Sequence, residues 1–151
     1  MIVTRTLEGI STHFMVRFHE WLFALVFVAM GVQLLRPEET FSAPIYAFLV
    51  KVMSEDAWGA VLIVLGILRL GALTLNGTFR NLRRATPIMR AVIAFLSAGV
   101  WFAFALGFIL AFPIGTNAIA YAGVMLTEMF IAAVVAGEAG KAFRETPRGR
   151  T

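Results

Sequence analysis

The chain has 151 residues, of which 60% are hydrophobic and only 15% are charged, against roughly 45–50% and 25% in ordinary soluble domains. A soluble domain of this size leaves about a third of its unfolded surface in water, so it would have to expose many Phe and Leu side chains. The composition therefore predicts an integral membrane protein. The net charge of +4 does not indicate nucleic-acid binding, because the basic residues lie between the apolar segments, and the lack of Cys excludes disulfides and thiolate chemistry.

The first predicted element is an amphipathic helix at the N-terminus. Its apolar residues recur at spacings of three and four, which places them on one helical face, away from Arg5 and Glu8: Val3, Leu7, Ile10, Phe14 and Phe18. This pattern is typical of a helix that lies along the membrane surface.

Four apolar segments follow, each long enough to cross a bilayer core that needs roughly 20 residues per helix. The sequence therefore predicts an all-α bundle of four transmembrane helices that forms a single membrane domain over residues 1–151. The predicted spans are about 18–35, 57–75, 87–112 and 117–137.

Residues at the ends of these segments support the boundaries. Pro37 stops the first span, because proline cannot continue a helix there. Ser54 is the predicted N-cap of the second span, which exits at Asn76 and Gly77. For the third span we predict Thr86 as the cap, Pro87 at the first helical position and Pro113 as the terminator.

The loop between the first two spans contains a further apolar helical face. After Pro44, the residues on this face are Ile45, Phe48, Leu49 and Val52. We expect a short interfacial helix in this loop, either lying on the outer leaflet or packing as a lid over the bundle.

The basic residues predict the orientation, because positively charged loops resist translocation. Ten of the thirteen Lys and Arg residues fall on one side: Arg5, Arg17, Arg80, Arg83, Arg84, Arg90, Lys141, Arg144, Arg148 and Arg150. We therefore expect both termini, including the basic tail 138–151, on the cytoplasmic side of a bacterial inner membrane.

Two ionisable residues, Arg69 and Glu128, lie inside apolar segments, where burying a charge costs about 2.5–3.5 kcal/mol. Their positions in the second and fourth spans give nearly equal depths, so we predict an ion pair. It can serve either as a device that fixes helix register or as part of a proton or ion relay. Asn117 and Tyr121 share a stripe with Glu128, which predicts an inward polar face on the fourth span.

Small residues suggest close helix contacts. Gly99, Ala103 and Gly107 form a small-xxx-small ladder on the third span, which serves either packing within the bundle or association between copies. The second span offers further contact points at Gly59, Gly66 and Gly71.

The second loop and the start of the third span predict a contact with lipid. Arginines beside a membrane commonly bind anionic lipid head groups. The residues assigned to this role are Arg80, Arg83, Arg84 and Arg90.

Enzyme signatures are lacking in the sequence, so we expect no catalytic activity and no metal or other cofactor. His13 and His19, six residues apart, do not share a helical face as a metal-binding pair would. The small size, the near absence of soluble segments and the basic tail from Lys141 to Arg150 resemble phage holins in outline. That resemblance implies a self-associating membrane protein that forms or gates a pore.

Two other functions remain open from the sequence. One is an accessory subunit packed against a larger membrane complex, and the other is a small proton-coupled transporter that uses Glu128. The expected partners are membrane lipids together with further copies of the chain or a larger membrane complex, and not nucleic acid.

Overall fold

The computed structural model describes residues 17–38, 40–78, 85–112 and 115–144, and these residues form helices and no strand. The predicted all-helical fold is thus confirmed for this part of the chain, whereas residues 1–16 of the predicted amphipathic helix lie outside it. The helices are α1 (Phe18–Leu34), α2 (Ala47–Val52), α3 (Glu55–Thr78), α4 (Ala85–Ala111) and α5 (Thr116–Arg144), and 3-10 turns at Thr40–Ser42 and Pro44–Tyr46 precede α2.

The lengths and compositions of these helices are those of a protein embedded in a membrane. Three of the described helices, α3, α4 and α5, are long and apolar enough to cross a bilayer. The helix α1 is also apolar but shorter, at 17 residues.

The start of α3 shows how local chemistry sets a boundary. The hydroxyl of Ser54 accepts a hydrogen bond from the backbone N–H of Ala57 at 3.3 Å, as expected for the predicted N-cap. The carboxylate of Glu55 accepts the backbone N–H groups of Thr40 and Phe41 at 2.8 and 3.0 Å. Glu55 therefore ties the loop after α1 to the first turn of α3.

Two predicted boundaries differ from the structure. Thr86 is not a cap, because α4 already includes Ala85 and Thr86 is fully buried in the helix. The last helix continues to Arg144 rather than ending near Gly137. Its final turns contain Lys141 and Arg144, whose positive charges interact favourably with the C-terminal end of a helix dipole.

The long helices pack as two antiparallel pairs, α1 with α3 and α4 with α5, and α3 meets α4 between them. Glycines allow the backbones of the first pair to approach closely. A Cβ atom on Gly31 would lie 2.7 Å from the carbonyl oxygen of Gly59, and one on Gly66 would lie 2.8 Å from that of Ala24. Real Cβ atoms do not come this near to oxygen, so this interface requires glycine at both positions.

Aromatic rings fill the interior between the two pairs. Trp101 stacks between Phe27 of α1 and Tyr121 of α5, with ring centroids 5.1 and 5.5 Å away, and Trp58 packs edge-on against Phe104. The loop helix α2 covers the bundle at the end where α3 begins. Its Leu49 is buried, and the carbonyl oxygen of Leu49 accepts the indole N–H of Trp58 at 3.0 Å.

Candidate intramembrane ion-pair site

The predicted partners Arg69 and Glu128 meet in the middle of the bundle. Nη1 of Arg69, from α3, donates a hydrogen bond to Oε1 of Glu128, from α5, and the two side chains are only 2% and 0% exposed. The guanidinium group also lies 5.9 Å from the ring centroid of Phe23, on α1. One ion pair thus links three of the four long helices.

A second buried cluster, formed by Glu20, Arg90 and Glu138, joins α1, α4 and α5. Nε of Arg90 donates to Oε2 of Glu20 at 3.0 Å, and Nη2 donates to the other oxygen of the same carboxylate. Nη1 of Arg90 donates to Oε2 of Glu138 at 3.2 Å. The contact with Glu20 is bidentate, which is the geometry that fixes a guanidinium most firmly.

This cluster corrects the role predicted for Arg90. We expected Arg90 to contact lipid head groups, but it is 3% exposed and bound by the buried carboxylate of Glu20 and the half-exposed carboxylate of Glu138. The other three arginines assigned to that role, Arg80, Arg83 and Arg84, lie outside the described residues.

Sequence reasoning missed Glu20 as a buried charge. It lies at the edge of the first apolar segment, 70 positions from Arg90, so nothing local indicates the pairing. The available signal was that Glu20 is the one acidic residue between Phe18 and Leu35.

Arg17 adds a second positive charge beside this cluster. Burial lowers the pKa of its guanidinium below the ordinary value, and the charge of Arg90 lowers it further, while Glu20 and Glu138 raise it. Arginine nonetheless stays charged in proteins. The charges of these two arginines and two glutamates therefore balance within the cluster.

The middle of the bundle also contains buried polar atoms whose hydrogen-bonding capacity is unused within the described residues. These atoms are Nη2 of Arg69, Oε2 of Glu128, Oγ of Ser97 and Nε1 of Trp101. Tyr121 of α5 contacts rings on the antiparallel helix α4, and Phe104 is the middle one of them. Ser97 lies two turns before Phe104, and Glu128 lies two turns after Tyr121, so Ser97 and Glu128 are at the same level. Such a layer can hold a water molecule or a proton.

The structure separates the residues of the predicted inward polar face on α5. Tyr121 is partly buried among Trp101, Phe104 and Phe108. Asn117 is exposed in the first turn of α5, where the buried residue is Ala118. Asn117 is therefore not buried on the inward face with Glu128; it lines an open cavity beside Phe108.

Within the described chain, the predicted ladder on α4 does not lie against another long helix, and its other predicted use, association between copies, stays a prediction. A Cβ atom on Gly99 would meet nothing within 4 Å, and one on Gly107 would lie 3.4 Å from a side-chain carbon of Phe48 in the α2 lid. Ala103 is only partly buried. Of the additional glycines on α3, Gly71 also faces open space, whereas Gly59 and Gly66 form the contact with α1 described above.

Metal binding and known relatives offer no further guide to this site. Within residues 17–38, 40–78, 85–112 and 115–144, no group of three or more His, Asp or Glu side chains is placed to hold a metal ion. No protein-family model, curated protein or solved structure matches the chain.

Proposed function

We propose that the protein is a non-enzymatic membrane protein whose copies associate along α5. The exposed side of this helix carries the observation that supports the proposal. Ala133, Gly137 and Gly140 recur at spacings of four and seven and so share a face, and all three are exposed. A Cβ atom on either glycine would meet nothing within 4 Å.

Exposed glycines are unfavourable in a helix that faces only lipid. Each costs about 1 kcal/mol relative to alanine and contributes no side-chain packing. Close approach of another transmembrane helix is the usual use of such a face. The helix is also the least covered of the three long ones, since 17% of its most apolar stretch is buried, against 56% in α4.

The proposed topology places all four long helices across the bilayer. At 1.5 Å per residue α1 spans about 26 Å, which is at the short end of what crosses a hydrocarbon core of about 30 Å. The beginning of α1 and the end of α5 then lie on the cytoplasmic side of the inner membrane, which agrees with the distribution of basic residues.

Because the chain has no Cys, a single introduced cysteine tests the proposed association cleanly. Gly137→Cys should form a disulfide-linked adduct of twice the chain mass on mild oxidation in native membranes. Val92→Cys is the matched control, since Val92 is 52% exposed and lies on α4 two residues from Arg90, which contacts Glu138. Equal cross-linking of the two variants, or no cross-linking of Gly137→Cys, would contradict the proposal.

A pore between copies is a second candidate, favoured by the distribution of exposed polar side chains on α5. They lie at its two ends, Thr116 and Asn117 at one and Glu138, Lys141 and Arg144 at the other. Leu126, Met129 and Phe130 are exposed between them. An assembly that closes around this face would have a hydrophobic middle, which gates conduction by dewetting.

Reconstitution distinguishes the candidate functions. If the assembly is a pore, liposomes that contain the Gly137→Cys protein should release a trapped dye or ions. The Gly137→Leu variant should abolish this release, because its larger side chain blocks close approach of the helices. An adduct of Gly137→Cys with a different membrane protein, and no release, would favour the accessory-subunit alternative instead.

A further inference from the structure

A cavity opens between the beginning of α1 and the end of α5. It has a volume of about 400 Å³, which lies in the usual range for small-molecule sites. Its polar lining consists of Arg17, His19, Glu20, Arg90 and Glu138. The buried cluster of Glu20 and Arg90 therefore forms the back of an open site.

The remaining wall of this cavity is apolar and extends deeper into the bundle. It is formed by residues of α5 that include Phe130 and Val134. From Glu138 to Phe130 the helix rises about 12 Å, so the polar end and the apolar wall are arranged along the membrane normal. This arrangement matches the shape of an amphiphile, with its head group at Glu138 and its chain along α5.

We propose that this cavity is a binding site for a zwitterionic phospholipid of the ethanolamine class. The charges of the lining select this head group. Arg17 and Arg90 are balanced by Glu20 and Glu138, so the cavity offers no net positive charge for an anionic lipid. A head group that carries one negative and one positive charge is complementary to it.

Two residues provide the specific contacts. Arg17 is partly buried at the cavity, and the positive charge of its guanidinium group attracts a phosphate group. The carboxylate of Glu138 can only accept hydrogen bonds, and its side chain remains 45% exposed although it contacts Arg90. A primary ammonium group can donate hydrogen bonds to this carboxylate, whereas a choline group has no N–H to donate.

The lipid site borders the proposed contact between copies. Phe130 of the cavity wall lies seven residues from Gly137, and Val134 lies three residues from it, so both are near the face that carries Ala133 and Gly137. The lipid measurement is therefore made on the Gly137→Leu variant as well as on the unaltered chain. Loss of the Gly137→Cys adduct with unchanged lipid retention would count against the contact alone, and the reverse result would count against the lipid site alone.

The experiment compares lipid retention by the full-length purified protein in detergent. Dioleoyl phosphatidylethanolamine, phosphatidylglycerol and phosphatidylcholine are titrated separately, and native mass spectrometry counts the lipids retained. We expect retention of the ethanolamine lipid at concentrations at least tenfold lower than the other two. Glu138→Gln should remove this preference while keeping a hydrogen bond to Arg90, and Lys141→Gln, one turn further along α5, should leave it unchanged.

A second pair of variants tests the apolar wall. Val134→Trp fills the cavity and should reduce retention of the ethanolamine lipid at least tenfold, whereas Val92→Trp on the exposed face of α4 should not. Tighter retention of phosphatidylglycerol, an unchanged preference in Glu138→Gln, or equal effects of the two tryptophans would overturn the proposal.

Discussion

The pair Arg69 and Glu128 is buried almost completely, and each charge would be costly without the other. Removing a charge from water costs several kcal/mol, and the attraction between partners in a buried pair often only offsets that cost. The pair is therefore weak evidence for stability as such. If the role of the pair is structural, it fixes helix register, because one vertical position of α5 against α3 brings the two side chains together.

Mutations at this pair should show strong coupling. Arg69→Leu or Glu128→Leu alone leaves an unpaired buried charge, so each should cost about 3–5 kcal/mol in the free energy of unfolding. The double variant should recover much of the loss, since two leucines suit an apolar interior. The free energy of unfolding of the two single variants and the double variant is measured by titration with a denaturing detergent.

The three variants form a double-mutant cycle, and two results decide its interpretation. If the two single losses simply add in the double variant, the residues do not interact in the membrane. If the double variant is stable and still forms the Gly137→Cys adduct, the pair fixes register and takes no part in activity.

Ser97 gives a test of the unused polar atoms in the same layer. Its hydroxyl is buried and has no hydrogen-bond partner in the described structure, so Ser97→Ala should leave stability unchanged or raise it by about 1 kcal/mol. Ser54→Ala is the control, because loss of its N-cap bond should cost about 0.5–2 kcal/mol. A loss at Ser97 as large as that at Ser54 would mean that its hydroxyl is bound, for example through a water molecule to Glu128.

At the scale of single helices, glycine has opposite roles on α3 and α4. Gly66 lies against the backbone of α1, and Gly99 faces open space. The two residues look alike in sequence. Hydrophobic periodicity cannot separate them, because in a membrane the lipid-facing and core-facing sides of a helix are both apolar.

The substitution of each glycine by alanine should therefore have opposite effects. Gly66→Ala places a methyl group against backbone atoms and should destabilise the protein by about 1–3 kcal/mol. Gly99→Ala has room, and the higher helix propensity of alanine should stabilise the protein by up to about 1 kcal/mol. Melting temperatures in detergent compare the two, and a loss of equal size at Gly99 would place a contact on that face of α4.

The same reasoning explains how much of each helix the sequence predicts. Apolar length and end residues place most helix ends within a few residues, as at Ser54 and Leu35, where hydrogen-bonding chemistry is local, although α5 continues seven residues past its predicted end. They do not predict which faces meet. For this reason the sequence could not tell whether the ladder from Gly99 to Gly107 serves packing between long helices, which the structure does not show, or association between copies, which stays a prediction. Gly59 and Gly66 were predicted contact points and lie at the α1–α3 interface, but their counterpart Gly31 on α1 became visible only in three dimensions.

At the scale of the whole molecule, the two charged layers divide the bundle. Glu138 and Glu128 are separated by about 15 Å along α5, so one layer lies near an end of the bundle and the other near its middle. Beyond the middle layer the interior is filled by rings such as Trp101 and Phe104. The equal depth of Arg69 and Glu128 could be predicted from helix geometry, but the cluster at Arg90 could not, since it joins three helices at positions remote in sequence.

This asymmetry bears on the orientation of the protein in the membrane. The end that contains Arg17, Arg90 and Glu138 is also the end at which the basic residues of the sequence concentrate. Burial of Arg90 with Glu20 removes one of the ten positive charges from the set available to hold loops on the cytoplasmic side. Nine remain, so the positive-inside rule still predicts cytoplasmic termini.

Reporter fusions test that orientation. Fusions after Arg84 and after Arg150 should give signals from a cytoplasmic reporter, and a fusion at Glu39 should give a signal only from a reporter that is active outside the inner membrane. Changing Arg83 and Arg84 together to Gln should weaken the bias and produce a mixed signal, because both belong to a short loop. Lys51→Gln, on the opposite side, should leave the topology unchanged. Export of the C-terminal reporter in the unaltered protein would overturn this orientation, and would mean either that both termini lie outside or that the shorter helix α1 does not cross.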